Sequence, residues 1–414
     1  MSAVSRVRAV VAPLLRNRFF QRARYVLPSA GYALWRRLRP VVPGRVVLAS
    51  DSRSSLSGNL GYLATDIAER YPHHEVVPLL KPRLRARRSL KDTLRLPYLL
   101  ATSEVVVLDD YYPLVYAMDL RPETTLAQVW HAAGAFKTVG FSREGQPGGP
   151  IPGSNIHRGY TYVSVSAQAV RPSYAEAFRM PLDHVHADGV PRTDLFFDDD
   201  VVAATRERVR GELGIPEGSR VVLYAPTFRG RGQKSAYFDL EAHDWEPLRR
   251  TARGGAGPAG EQGQTVVLLK QHPFVPALAP GRAAALGFQD VSSYREVNDL
   301  LLVADVLVTD YSSVIFEYAL LGRPIVFFTP DLEEYVAERD FYHPFETYLV
   351  GPVARTGAQL AEAVRDALTG GVADPQRYRE FVERFCGACD GGSTHRVTDA
   401  LLAPGRAAGP GEGA

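Results

Sequence analysis

Short runs of aliphatic and β-branched residues recur along the chain, each closed by a turn and followed by a polar stretch compatible with a helix. In the first half they are Arg45–Ala49, Glu75–Leu80, Glu104–Leu108 and Thr125–Trp130. Runs that are apolar at nearly every position suit strands buried on both faces, and their alternation with helices predicts a parallel sheet. Pro78 has no amide proton and demotes the second run to a sheet edge. Tyr162–Ser166 and His184–His186 extend the same sheet. Residues 195–219 are acidic, then helical, and end in a turn at Gly214–Gly218. The strand pattern then restarts with Arg220–Tyr224, Thr265–Lys270, Asp305–Thr309 and Pro324–Phe328. The expectation is an α/β protein of two Rossmann-like halves, with ligands held between the carboxyl ends of the strands in the inter-domain cleft. A Gly-rich surface loop is expected at 253–264 and a disordered tail from Pro404.

At 414 residues and 45% hydrophobic content, the chain is long enough for two or three domains with a sizeable core. Its 48 basic and 46 acidic residues nearly cancel, so no nucleic-acid partner is expected. The charge is uneven, however. Residues 1–40 hold nine Arg and no acidic residue, which leaves the remainder at −7. A second basic run, Lys81–Arg95, sets seven cations against Asp92. No stretch approaches the ~18 consecutive apolar residues of a membrane span, and the start lacks the layout of a secretory signal. Two cysteines exclude a disulfide scaffold and suit a reducing, intracellular compartment.

Three segments hold the candidate chemistry. His131 follows a strand and is trailed by Ala132-Ala133-Gly134-Ala135, small enough for a ligand to approach backbone, and then by Lys137. A histidine that merely caps a turn fits the same pattern. Lys270-Gln271-His272-Pro273 puts a second histidine at a strand end. Thr309-Asp310-Tyr311-Ser312-Ser313 leads into an apolar-periodic helix, Val314–Leu321, where free amides and hydroxyls suit either a diphosphate or simple helix capping. Thr227 and Arg229 end another strand in this half, and Arg229 is a candidate bidentate phosphate ligand or a surface residue. Phosphate-loop, nucleophile-elbow and zinc-helix motifs are absent. Cys386 and Cys389 lack a second pair, so packing is the simpler reading and no metal site or other cofactor is expected.

In order along the chain stand His131-Ala-Ala-Gly-Ala-Phe-Lys137, Gly189-Val-Pro-Arg192-Thr-Asp194, Tyr224-Ala-Pro-Thr-Phe-Arg229, Lys270-Gln-His272-Pro and Thr309-Asp-Tyr-Ser-Ser-Val-Ile-Phe-Glu317-Tyr. Together with Asn298-Asp299 and Asp331-Leu-Glu-Glu-Tyr335, these resemble the CDP-glycerol glycerophosphotransferase family, the teichoic-acid primases and polymerases, over roughly residues 45–395. The resemblance implies a GT-B-like fold and transfer of glycerol phosphate from CDP-glycerol to a hydroxyl, with release of CMP. By the family's logic His131 is the base. His272, Arg229 and the Ser312–Ser313 helix end then grip the donor diphosphate, Gly134, Lys137, Thr227, Thr309 and Asp310 line the substrate site, and Glu317 meets the ribose. Ala132-Ala133-Gly134, where many polymerases have Gly-Thr-Pro, looks more like the priming branch.

The resemblance also implies a lipid-linked saccharide acceptor, met by a peripheral enzyme at the cytoplasmic face of the membrane. The Arg-rich arm, with Phe19, Phe20, Tyr25, Leu34 and Trp35 interspersed, suits an anionic surface at ~1 kcal/mol per cation. The expected organisation is an arm at 1–40, an acceptor domain at 41–200, a CDP-donor domain at 201–400 and a tail at 401–414. The family also holds CDP-ribitol transferases, which these motifs do not separate. A GT-B glycosyltransferase using a nucleotide sugar and a non-catalytic membrane-surface protein are the other readings.

Overall fold

The computed structural model describes residues 18–81, 90–146, 149–230, 235–254 and 264–403. The start of the basic arm, most of the second basic run, most of the Gly-rich loop and the tail from Pro404 therefore lie outside the described residues.

Among the described residues, two six-stranded, fully parallel sheets form the framework. The first contains β1 (Val42–Ala49), β2 (Glu75–Leu79), β3 (Ser103–Leu108), β4 (Thr125–Gln128), β5 (Tyr162–Ser164) and β6 (Val185–His186), in the order β2-β1-β3-β4-β5-β6. The second contains β7 (Arg220–Ala225), β8 (Thr265–Leu269), β9 (Gln289–Asp290), β10 (Val306–Thr309), β11 (Ile325–Phe328) and β12 (Val353–Ala354), ordered β12-β11-β10-β7-β8-β9. β2 is an edge strand with Pro78 opposite Leu48, as its proline predicts. β9 and β12 have two residues each, too few for any periodicity to register.

The continuous apolar runs have the physical cause that the sequence implies. In the first sheet Val47, Ala49, Val106 and Leu108 face one core, while Val46, Leu48, Val105 and Val107 face the other. The second sheet is divided in the same way between Leu223, Leu307 and Phe327 on one side and Val222, Val308 and Phe328 on the other. One apolar cluster runs through both halves, from Val106 and Leu108 to Leu307 and Phe327. The two halves thus share a core.

The last described helix, Ser393–Leu402, returns to the first sheet although it spans the end of the expected second domain at 201–400 and the start of the expected tail at 401–414. Val397 and Leu401 pack with Leu48, Leu60 and Leu63. Asp194 caps this helix, accepting from the Ser393 and Thr394 amides at 3.0 and 2.7 Å. Part of the basic arm is also a docked helix, Arg18–Leu38. Tyr32 is buried against the first domain, Trp35 meets Tyr98 edge-on at 5.2 Å, and Ser29 Oγ donates to the Ala117 carbonyl at 3.0 Å. Val26, Leu27, Leu34 and Leu38 on this helix remain exposed. Among the described residues no helix is long and apolar enough to cross a membrane.

Candidate active site

β4 stops at Gln128, two residues short of the expected end, because Trp130 adopts φ 48° and turns the chain off the sheet. His131 follows, half-exposed, with Nδ1 3.3 Å from Oδ1 of Asp110. Asp110 lies just beyond β3, next to β4, so both residues stand at carboxyl ends of adjacent strands. Burial pushes the Asp110 carboxyl up, but the hydrogen bond and charge of His131, with the Tyr111 amide, outweigh it and hold the group below its ordinary value. An ionised carboxylate facing Nδ1 keeps the proton there and leaves the Nε2 lone pair free to accept one.

The small-residue run after His131 is not an open floor for a ligand. A Cβ on Gly134 would stand 2.5 Å from the Phe316 ring, and the φ of 68° disfavours any other residue. Its amide donates to Ser166 Oγ at 2.7 Å, while the Ala133 amide donates to Glu317 Oε1 at 3.3 Å. Gly134 therefore serves the packing of the two halves, and its expected place against substrate is corrected on that ground. Phe136 inserts among Phe316, Phe341, Phe345 and Tyr348 of the second half. Thr138 N donates to the Asp340 carbonyl at 3.0 Å and Tyr342 N to that of Phe136 at 2.9 Å, pairing the chains on either side of Lys137 and Phe341.

This pairing delivers Lys137 into the second half. Its Nζ lies 5.2 Å from the centre of the Tyr335 ring, which stacks on Tyr311 at 3.8 Å. Arg339 lies over Tyr335 and Phe228 at 5.9 and 5.7 Å. Burial pushes the Lys137 ammonium down to about 7; Asp310 opposes this, while Arg339, Arg229 and Arg143 reinforce it. His272 sits between Phe228 and Phe274, 4.7 Å from each ring. Its Nδ1 accepts from the Phe274 amide at 3.1 Å, so in the neutral ring Nε2 carries the proton. Burial, with Lys137 and Lys270 nearby, pushes this imidazole down to about 4, which keeps it a neutral donor at pH 7. The cluster combines excess positive charge with a neutral N–H, a setting suited to a diphosphate.

Other expected ligands prove to be the frame of this cluster. Arg229 already has four bonds: Nε to Asp331 Oδ2 at 2.5 Å, Nη2 to Asp331 Oδ1 at 3.0 Å, and Nη1 to Asp310 Oδ2 at 2.9 Å and the Thr227 carbonyl at 3.0 Å. With two carboxylates on it, the guanidinium has little left for a phosphate. Asp310 is buried and also accepts from the Thr227 amide and hydroxyl and from the Tyr311 amide. Thr309 is buried and donates to the Ala225 carbonyl at 2.7 Å. Glu317, at 2% exposure, is ion-paired with Arg192 across the two halves and does not offer its carboxylate to a ribose.

Ser312 and Ser313 remain partly accessible beyond β10. The Val314 amide donates to Ser312 Oγ at 3.4 Å, whereas Ser313, at the cap position, makes no side-chain cap bond. The helix they begin is short, Val314–Ala319. Cys386 and Cys389 are buried, and burial pushes both thiols up, Cys389 to about 12, away from the metal-binding thiolate. Asp110 and Arg339 are not indicated by the sequence motifs, and Tyr335 enters only as the end of the Asp331–Tyr335 match, without a site role. The Asp109-Asp110 pair closing an apolar run is the one signal for the first, whereas Arg339 sits at the end of an ordinary helix, Leu332–Glu338.

A family model described as CDP-glycerol:poly(glycerophosphate) glycerophosphotransferase matches residues 32–403. A teichoic acid poly(ribitol-phosphate) polymerase of Bacillus spizizenii is 39% identical over 94% of the chain, which spans 61% of that protein's length. The teichoic acid ribitol-phosphate primase of the same species is 35% identical over 90% of this chain and 94% of its own. A solved structure of the wall teichoic acid polymerase TagF superposes with a TM-score of 0.71 at 22% identity, covering 92% of this chain and 96% of that one, and shares the GT-B-like fold. Five motifs in order, the two-sheet fold and a family match over most of its length place this chain in the CDP-glycerol:poly(glycerophosphate) glycerophosphotransferase family.

Proposed function

We propose that the protein transfers an alditol phosphate from a CDP-alditol to an acceptor hydroxyl in the synthesis of a teichoic-acid-type wall polymer. The observation that carries this reading is the segment from Trp130 to Lys137. It sets His131 against Asp110 at one end and joins Lys137 to Arg339 and His272 at the other. Nε2 of His131 takes the proton of the acceptor hydroxyl, whose oxygen bonds to the β-phosphorus of the donor in line. The bond from that phosphorus to the bridging oxygen breaks, and CMP leaves. Lys137, Arg339 and the Nε2–H of His272 neutralise the charge that gathers on the diphosphate.

Ribitol phosphate is the favoured cargo. The family model carries the glycerol name, but the two relatives above, at 39% and 35% identity, are ribitol-phosphate enzymes. The motif-based expectation of CDP-glycerol is the second reading. The acceptor is proposed to be lipid-linked and met at the cytoplasmic membrane face. Supporting this are the nine Arg of residues 1–40 and the exposed Val26, Leu27, Leu34 and Leu38. The test is CMP release from CDP-ribitol and CDP-glycerol in parallel, with a short-chain lipid-linked acceptor. Acceptor-dependent release, faster with CDP-ribitol and reduced about 100-fold or more in His131→Ala, is the expected result. Preference for CDP-glycerol would reverse the choice of donor, and an unimpaired His131→Ala would remove the base.

A further inference from the structure

The residue before His131 is held where its own preferences would not put it. Trp130, with φ 48°, occupies the left-handed region, at a cost of about 1–2 kcal/mol for a residue with a Cβ. Two buried amide side chains grip it from opposite ends. Gln128 Oε1 accepts from the Trp130 amide at 2.9 Å, and Asn59 Nδ2 donates to the Trp130 carbonyl at 2.6 Å. Gln128 Nε2 also reaches the Asp110 carbonyl at 3.2 Å. One side chain thereby ties together the two loops that carry His131 and Asp110.

The grip is itself braced. Gln128 Nε2 donates to Tyr160 Oη at 2.9 Å, which lies 2.6 Å from Tyr116 Oη and 3.1 Å from His157 Nδ1. Tyr116 Oη accepts from the Tyr112 amide at 2.9 Å, a second tether on the Asp110 loop. Asn59 Oδ1 accepts from the Arg192 amide at 3.0 Å, connecting the grip to the ion pair with Glu317. Apolar side chains would fill this volume without the desolvation cost of two amides. What the amides add is direction.

We propose that Gln128 and Asn59 are positioning residues for the transfer step, holding the Trp130 turn so that His131 stands beside Asp110. The proposal rests on the reading of His131 as the base. Neither side chain is assigned a contact with substrate, so turnover should suffer while donor binding, which belongs to the second half, does not. The test compares full-length wild type, Gln128→Leu and Gln128→Glu for kcat and donor KM with CDP-ribitol and CDP-glycerol. Gln128→Leu removes all three bonds, to the Trp130 amide, the Asp110 carbonyl and Tyr160 Oη, whereas Gln128→Glu keeps an acceptor for the Trp130 amide. Expected is a fall in kcat of roughly 10–100-fold in the leucine variant, a smaller fall in the glutamate variant, and donor KM within about twofold throughout.

Should the leucine variant not fold, Asn59→Asp decides. It keeps the bond from Arg192, loses the one to Trp130, and is expected to show the same loss confined to kcat. Wild-type turnover in the variants, or kcat and donor affinity lost in parallel, would overturn the positioning role alone. No CMP release by wild type from either donor would overturn the reaction and the role together.

Discussion

Burial pushes the Lys137 ammonium far below its ordinary value, and its pH behaviour gives a direct readout of the donor site. Free, its ammonium ionises near pH 7; a diphosphate beside it would draw that value upward. Below pH 7 the ammonium is present in both free and bound protein, and affinity is full. As pH rises above about 7 the free protein must take up a proton to bind, so affinity weakens by up to about tenfold per pH unit until the bound-state value is passed. Titration calorimetry with a CDP-alditol between pH 6 and 9 should show this slope, and Lys137→Arg should flatten it. A flat wild-type curve would detach Lys137 from the phosphates. His131 and His272 were legible because each ends an apolar run, whereas Arg229 was misjudged. Nothing local indicates that two carboxylates, Asp310 and Asp331, close on it from 81 and 102 residues away.

At the level of elements, the strands were legible wherever the chain is buried on both faces, and the reading failed where tertiary contact overrides local pattern. β4 ends early because Trp130 is held in a left-handed turn, and Gly134 within the Ala-Ala-Gly-Ala run has no room for a side chain because Phe316 packs on it. The Gly189–Asp194 motif, recognisable as sequence, proves to be a joint. Arg192 reaches Glu317 of the helix Val314–Ala319, and Asp194 caps the returning helix Ser393–Leu402. The partners are 125 and 199 residues distant, beyond any periodicity argument. Glu317→Gln leaves the mostly buried Arg192 charge unpaired and is expected to cost roughly 3–5 kcal/mol in denaturant unfolding, while the double change Arg192→Met with Glu317→Leu recovers most of it. A loss below about 1 kcal/mol in the single variant would show that the pair does not hold the halves.

Over the whole molecule, the shared core, the 136–138 to 340–342 pairing and the Arg192–Glu317 joint fix the His131 loop to both halves at once. The two-sheet architecture could be read from alternating runs alone, but the way the halves are sewn together could not. Which bond of the donor breaks distinguishes the two reactions that this fold could support. Phosphoryl transfer through the His131 and His272 sides of the cleft cleaves phosphorus–oxygen and releases CMP. Sugar transfer on the same fold would cleave at carbon and release a nucleoside diphosphate. Quantifying CMP against CDP, alongside the mass of the acceptor product from a CDP-alditol, separates the two. One CMP for each alditol phosphate gained by the acceptor is the expected result; CDP with an acceptor lacking the added phosphate would contradict it.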